Sequence, residues 1–490
     1  MPNAIETLLD FVGKSGTGLA DYVALEKKNE EQEPLPTLQD ELQLFLRSTM
    51  DQVRVNKALD CTHRILKIAD LEDFEMFREG VWKREATRGM DYQKQRDHTA
   101  HTLNNWLLGW FFYAHSQGIK TAINGAIEKR EWDSEAPEKF SYEQFFGHAW
   151  QYTSLLHDIG YLFEGSITNM ETGNQSAQAE IGLKTADEYF NMAFWIETGE
   201  TSTHSQKKLR ELIEMPELPR EASLSRIAIY LRSLGSLDNL SSRVSEELRV
   251  TARGQRQRKK PKELRLPSDA FDLWRAHFNE FGQEDAAHRI TKLEKAFLQY
   301  VTKGMPGFDI RVLDHGVCSG LLQLKIATFF YNLFANFDKL NDDNSEYSAK
   351  STATRLEVRE GDVAVRYDYE YWWKGLIWAS ASAALHNIQQ RKGAWSPGVV
   401  GGKLSLQEEP LTYLGILVDC IQDWDRYFVY DSRTRSPVQG IDVGLSCDDG
   451  KIILTVSKDL GEKIVGDLDV ALEAWRDFVD IKFLTKTATV

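Results

Sequence analysis

His157 and Asp158 stand side by side near the end of the stretch FFGHAWQYTSLLHDIGYLFEG, residues 145–165. Phe145, Ala149, Tyr152 and Leu156 recur at roughly helical spacing and Gly160 offers a helix stop, so the pattern predicts an imidazole and a carboxylate near the end of a buried helix. An ionised carboxylate in an apolar wall is costly unless it is paired or bound to a cation. A divalent metal is the economical partner, since imidazole nitrogen and carboxylate oxygen together suit Zn, Mn, Fe or Ni. By itself the dipeptide reads more readily as a surface or capping pair, so the weight falls on what else the chain places in similar surroundings.

Four further stretches do so. RDHTAHTLNNWLLGWFFYAH, from residue 96, carries His98 and His101 three apart and so on one helix face, ahead of Leu107, Leu108, Phe111 and Phe112. DHGVCSGLLQLKIATFFYNLF, residues 314–334, opens with Asp314 and His315. Its central Gly316 to Gly320 imitates a nucleophile elbow around Cys318, but that motif needs a preceding strand and none is read there. YWWKGLIWASASAALHNIQQ, residues 371–390, predicts a helix whose small Ala and Ser positions allow close packing and which delivers His386 and Asn387. Leu411, Leu414, Val418 and Ile421 lie on one side of a fourth predicted helix with Asp419 among them, whereas Asp423 and Asp425 flank Trp424 in a more polar stretch and suit a surface pair with Arg426.

In chain order the inward candidates are His101, His157, Asp158, His315, His386 and Asp419, and this ordered set resembles the HD-domain metal-dependent phosphohydrolase superfamily. The resemblance covers about 96–165 and 307–430. It implies a mainly α fold, an HD-type helical bundle whose helices project imidazole and carboxylate groups to a shared interior site. It implies two divalent metal ions, Mn, Fe, Co, Ni or Zn, with Asp158 bridging them and with His315 and His386 supplying the second. His101 is preferred as the first ligand because it leads directly into the apolar helix. His98, one turn earlier, then corresponds to a catalytic proton donor, and the reverse assignment of these two histidines stays open. Asp97, Asp314 and Asn387 adjoin ligands and could orient an imidazole or equally act as caps or exposed side chains. His63, His115, His148, His204, His277 and His288 match no position of the family.

The resemblance further implies hydrolysis of a phosphoester through a metal-activated water, on a small phosphorylated substrate of nucleotide type. Lys392, Arg391 and Arg426 are available to neutralise phosphate charge, although each suits an ordinary surface role. Two rivals share the same residues: a nucleotide-binding regulatory protein without turnover, and a diiron oxygenase, since a few HD-fold proteins use this ligand set to activate oxygen.

The elements that must hold such a site belong to a chain of 490 residues, too long for one core and expected to form two to four units. The expected division is a helical N-terminal extension at 1–95, a metal-binding helical domain at 96–430 with a long insertion at 166–307, and a small α/β appendage at 431–490. In the appendage Ile441, Val443, Leu445 and Cys447 alternate, Asp449-Gly450 signals a hairpin turn, and Ile452, Leu454 and Val456 alternate again. Leu468, Leu472, Trp475 and Val479 then suggest a closing helix. The basic run RVTARGQRQRKKPKELR at 249–265 reads as a solvated loop of the insertion. Gly13-Lys14-Ser15 is no phosphate loop, because Leu8 stands where the pattern needs a glycine.

Hydrophobic residues make up 42% and charged residues 27%, and 13 Trp, 17 Tyr and 24 Phe argue against general disorder. A formal net charge of −15 disfavours nucleic acid as a whole-surface partner while leaving room for a local basic site. The apolar runs at 106–114 and 375–385 fall short of the roughly 18 residues that span a bilayer, so no membrane contact is expected. The N-terminal stretch lacks the basic-then-apolar pattern of a signal peptide. Cys61, Cys318, Cys420 and Cys447 show no paired spacing, which fits a reducing compartment and a cytoplasmic protein.

Overall fold

A computed structural model of the chain describes residues 3–26, 36–48, 51–68, 98–130, 141–162, 167–168, 270–303, 310–311, 314–324, 372–387, 402–422, 428–431, 434–437 and 443–484. These residues are mostly helical, with a small three-stranded sheet near the C-terminal end. They belong to two compact units, Met1–Leu162 with Leu385–Val490, and Phe163–Ala384. Among them no helix is long and apolar enough to cross a membrane. The basic run at 249–265, Asp97, His204, Arg391, Lys392, Asp423, Asp425 and Arg426 lie outside the described residues.

The N-terminal part of the first unit consists of α1 (Ala4–Gly13), α2 (Gly18–Val23), α3 (Leu38–Arg47), α4 (Asp51–Ile68), α5 (His98–His115), α6 (Gln117–Lys129) and α7 (Tyr142–Leu155). Helix α5 is buried on every side from His98 to Tyr113, the mark of a helix at the centre of a core rather than on its surface. It packs against α4 and α7. Two glycines make its contact with α7 close: a Cβ on Gly109 would fall 2.1 Å from the Trp150 ring, and one on Gly147 would fall 2.9 Å from Trp110. Trp150 is locked there by its indole N–H, which donates to the Trp106 carbonyl at 3.0 Å. Tyr113 stacks on Phe146 at 4.1 Å between centroids in the same seam.

Helix α7 starts with a reciprocal cap, in which Ser141 Oγ accepts from Gln144 N–H and Gln144 Oε1 accepts from Ser141 N–H. It stops earlier than the expected glycine. Regular helix ends at Leu155, and His157 and Asp158 sit in the turn before a 3-10 turn, Ile159–Leu162, that contains Gly160. The Ser154 carbonyl, which a continuing helix would offer to the Asp158 N–H, instead accepts from His157 Nδ1 at 2.7 Å. The side chain that forms the site also ends the helix.

In the second unit α8 (Ala270–Glu280) packs on α9 (Glu284–Lys303), α10 spans 315–324, and a π-helical turn, Trp372–Leu376, leads into α11 (Ile377–Leu385). The small residues expected in α11 are used for close packing: a Cβ on Gly320 of α10 would lie 2.5 Å from the Ser380 carbonyl and 2.7 Å from Ala384 Cβ. Ser380 Oγ accepts from the Trp274 indole at 3.0 Å. Strands β1 (Ile167–Thr168) and β2 (Ile310–Arg311) pair antiparallel.

The chain re-enters the first unit at Leu385, and there α12 (Pro410–Ile421) has proline at its start and is capped by Glu409, whose carboxylate accepts from Thr412 N–H. Strands β3 (Phe428–Asp431) and β4 (Thr434–Pro437) form an antiparallel pair. Then β5 (Gly444–Asp448) and β6 (Lys451–Val456) form the expected hairpin, with φ of 48° at Asp449 and 74° at Gly450 in the two-residue turn. The predicted closing helix over 468–479 is corrected. Helix α13 runs Lys458–Ala471, Leu472 is extended, Trp475 begins a 3-10 turn, and Val479 opens strand β7 (Val479–Phe483), parallel to β6. Helix α13 is thus a crossover between two parallel strands, and the alternating apolar and polar residues of VDIKF serve the sheet.

The N-terminal helices and the C-terminal α/β segment, expected as separate additions, share a unit with the segments that carry His101, His157 and Asp419. The contacts explain why. Ala4 N–H donates to the Val443 carbonyl at 2.7 Å, Thr7 Oγ1 donates to the Leu445 carbonyl at 2.6 Å, and Phe11 meets Phe111 edge to face.

Candidate metal centre

Helix α5 supplies His98 and His101 from its first turns, and the turn after α7 supplies His157 and Asp158. His386 follows the last residue of α11, and Asp419 projects from the last turn of α12. The four histidines and Asp158 are buried, and the Asp419 side chain is one-fifth exposed. All six belong to the first unit.

Asp158 lies at the centre. Its Oδ2 is 3.2 Å from His157 Nε2 and 4.0 Å from both His98 Nε2 and His101 Nε2, whereas its Oδ1 is 3.9 Å from His386 Nε2. Asp419 Oδ1 lies 2.8 Å from His101 Nε2 and 3.8 Å from His157 Nε2. Two sets of ligating atoms result, His101, His157 and Asp419 in one and His157, Asp158 and His386 in the other, and within each set all atoms fall within 4.8 Å of one another. The spacings of Asp419 Oδ1 match the roughly 3–4 Å between two ligands each about 2.1 Å from a shared ion.

The ring nitrogens that face this space are fixed by what the opposite nitrogens do. His157 gives its Nδ1–H to the Ser154 carbonyl, and His101 gives its Nδ1–H to Gln422 Oε1. Both imidazoles are thereby held in the tautomer that turns Nε2 toward the carboxylates, which is how metal-ligating histidines are ordinarily oriented. With Nδ1–H given to Gln422, His101 Nε2 and Asp419 Oδ1 at 2.8 Å are joined either by a proton on Nε2 or by a metal ion that takes its place. His157 Nε2 is buried and makes no aligned hydrogen bond, although Asp158 Oδ2 is near it. Burial opposes a charge on His157, but the carboxylates of Asp158 and Asp419 outweigh it and raise the imidazole pKa to about 10. The donor set of imidazole nitrogens and carboxylate oxygens around a buried point therefore fits a divalent cation.

Five residues singled out by their order in the chain, His101, His157, Asp158, His386 and Asp419, are thus brought together, with His98 beside them. Neither set includes His315, which is the first helical residue of α10 in the second unit. Asp314 caps that helix, its Oδ1 accepting from Val317 N–H at 2.8 Å. Two residues at the site carried no sequence signal of their own. Gln422 follows Asp419 by three positions and is fully buried, and Asn105 follows His101 by four, with its Nδ2 3.1 Å from His101 Nε2. Their spacing from the two ligands, one helical turn in each case, is the feature that could have found them. Cys318 and Cys420 are buried, form no disulfide among the described residues and belong to neither set.

No protein-family model matches the chain, and comparison with curated proteins and with solved structures finds no significant match.

Proposed function

We propose that this chain is a metal-dependent phosphohydrolase of the HD type, cleaving a phosphoester of a nucleotide or nucleotide-like molecule. The observation that supports this reading is the arrangement about Asp158, whose two oxygens turn to different imidazoles, Oδ2 to His98, His101 and His157 and Oδ1 to His386. A carboxylate so placed suits a bridge between two ions, and the surrounding ligands follow the chain order of the HD resemblance.

Divalent cations held here would supply Lewis acidity and a water of lowered pKa. The chain's own side chains do the rest. His101 and His157 keep Nε2 directed inward because Ser154 and Gln422 hold their Nδ1–H groups. Asp158 and Asp419 balance the cationic charge. His98, beside Asp158, is the group that gives a proton to the leaving oxygen, a task suited to an imidazole because its ordinary pKa lies near neutral pH.

The test is chemical. Protein stripped of metal and reloaded with Mn under anaerobic conditions should release phosphate or a nucleoside monophosphate from a member of a panel of nucleotides, cyclic nucleotides and phosphodiesters. Activity that requires iron and oxygen, with no phosphoester cleaved, would overturn the reading in favour of an oxygenase. Stoichiometric metal with neither activity would overturn turnover and favour the nucleotide-binding regulatory reading.

A further inference from the structure

Asn105 stands one helical turn after His101 on α5, and its side chain enters the same space. It is 1% exposed. Its Nδ2 lies 3.1 Å from His101 Nε2 and 3.3 Å from Asp419 Oδ1, the two atoms that face each other at 2.8 Å. Its Oδ1 is buried and has no hydrogen-bond partner among the described residues. A buried amide normally satisfies both ends, because an unpaired buried acceptor costs about 1–3 kcal/mol. Here the amide nitrogen is hydrogen-bonded to His101 Nε2 and Asp419 Oδ1, the place a cation bound by those two residues would take, and the oxygen is left without a partner.

A half-turn about χ2 exchanges the two ends of an amide without moving its plane. The oxygen then faces the point between His101 Nε2 and Asp419 Oδ1. We propose that Asn105 is an oxygen donor of the metal centre, its Oδ1 joining His101, His157 and Asp419 around one cation. The proposal rests on the metal-centre reading above and adds a ligand to it.

The chemistry follows from the donor type. An amide oxygen is hard and neutral, so it favours Mn, Mg or Fe(II) over ions satisfied by four nitrogen and carboxylate ligands, as Zn is. It also adds a ligand without a third negative charge beside Asp158 and Asp419. A residue that merely packed against His101 would affect all ions alike.

The experiment is a titration of the full-length protein with Mn and, separately, with Zn, for wild type, Asn105→Leu and Asn105→Asp, alongside circular dichroism and thermal melting of each metal-free protein. Asn105→Leu keeps the branched four-atom skeleton and removes the oxygen together with the amide N–H groups. It should weaken Mn by about 10-fold or more, the scale on which groups around a metal site act, and weaken Zn by much less. Asn105→Asp keeps an oxygen and adds charge, so it should bind Mn as tightly as wild type or more tightly. Mn affinity unchanged in Asn105→Leu, or Mn and Zn weakened in equal proportion, would overturn the proposal. If Asn105→Leu does not fold, Asn105→Asp decides. An amide that served only through Nδ2 would leave a third acceptor against two others on substitution by Asp, and Mn binding weakened 10-fold would then overturn the oxygen-donor role. Wild-type protein that binds neither ion would overturn the metal centre itself, a failure distinct from loss of the Asn105 assignment alone.

Discussion

Gln422 Oε1 accepts the Nδ1–H of His101 from the residue that closes α12, the same helix that three positions earlier presents Asp419 Oδ1 to the Nε2 of that ring. One helix end therefore grips both nitrogens of one imidazole. The amide fixes the tautomer and the carboxylate shares the nitrogen that results. Gln422→Leu should lower metal affinity by about 10–100-fold with little change in the melting temperature of the metal-free protein. Gln422→Glu, which keeps an acceptor for Nδ1–H, should restore most of the loss. Equal affinities for all three proteins, read by competition with a chelating dye, would show that Gln422 only packs.

Asp158→Ala removes the carboxylate that faces four imidazoles. It should abolish both metal binding and phosphoester cleavage and leave helical content intact, because the α5 and α7 seam does not depend on it. His386→Ala touches only the Oδ1 side, and it should reduce bound metal from two equivalents toward one, as should His315→Ala on the HD resemblance. Elemental analysis of the purified variants checks both. Two equivalents retained in the two histidine variants would remove the second ion from the reading.

The parts of this site that were legible in the sequence were polar residues in apolar repeats. His101 before Leu107 and Leu108, Asp419 between Leu414 and Ile421, and the His157-Asp158 pair after Leu156 each contradict their surroundings, and a contradiction of that kind can be seen without coordinates. Asn105 and Gln422 were not legible because a single neutral amide in a helix is ordinary, and only its distance from a ligand gives it meaning. The end of α7 was misplaced for a similar reason: the Ser154 carbonyl is diverted by the His157 ring, an event that no local propensity reports. In the C-terminal segment Leu472, Trp475 and Val479 have helical spacing, but Leu472 pairs with Leu404 and Val479 pairs with β6, partners remote in sequence that local spacing does not report.

His148 lies on α7 with its Nδ1 3.3 Å from the Tyr22 hydroxyl, and burial pushes its pKa down to about 3. In the unfolded chain the imidazole takes up a proton near pH 6.5, whereas the folded protein refuses it until about pH 3. Between those values the unfolded state binds more protons, so stability falls as the pH is lowered through this window, by about 1.4 kcal/mol per pH unit at the steepest. His148→Gln, which can still pair with Tyr22 and does not titrate, should flatten that part of the stability profile. Urea denaturation at several pH values between 3.5 and 6.5 would check it, and a slope unchanged by the substitution would assign the acid sensitivity to other groups.

Gly109 and Gly125 make a controlled pair, since both are helical glycines and only one is crowded. On α5 a Cβ at Gly109 would meet Trp150 Cε2 and Cζ2 at 2.1 Å, and the ring cannot retreat easily because its N–H is bonded to the Trp106 carbonyl at 3.0 Å. On α6 a Cβ at Gly125 would meet nothing within 4 Å. Replacing glycine by alanine in a helix interior ordinarily gains about 0.5–1 kcal/mol. Gly125→Ala should show that gain. Gly109→Ala should instead lose about 1–3 kcal/mol, since forcing atoms into a filled core outweighs the propensity term. The loss should extend to function, because moving α5 off α7 separates His98 and His101 from His157 and Asp158, so Gly109→Ala should also bind metal less tightly than Gly125→Ala. Chemical denaturation and a metal titration on the two variants test both statements, and a stabilised Gly109→Ala with full metal affinity would show that the seam does not position the site.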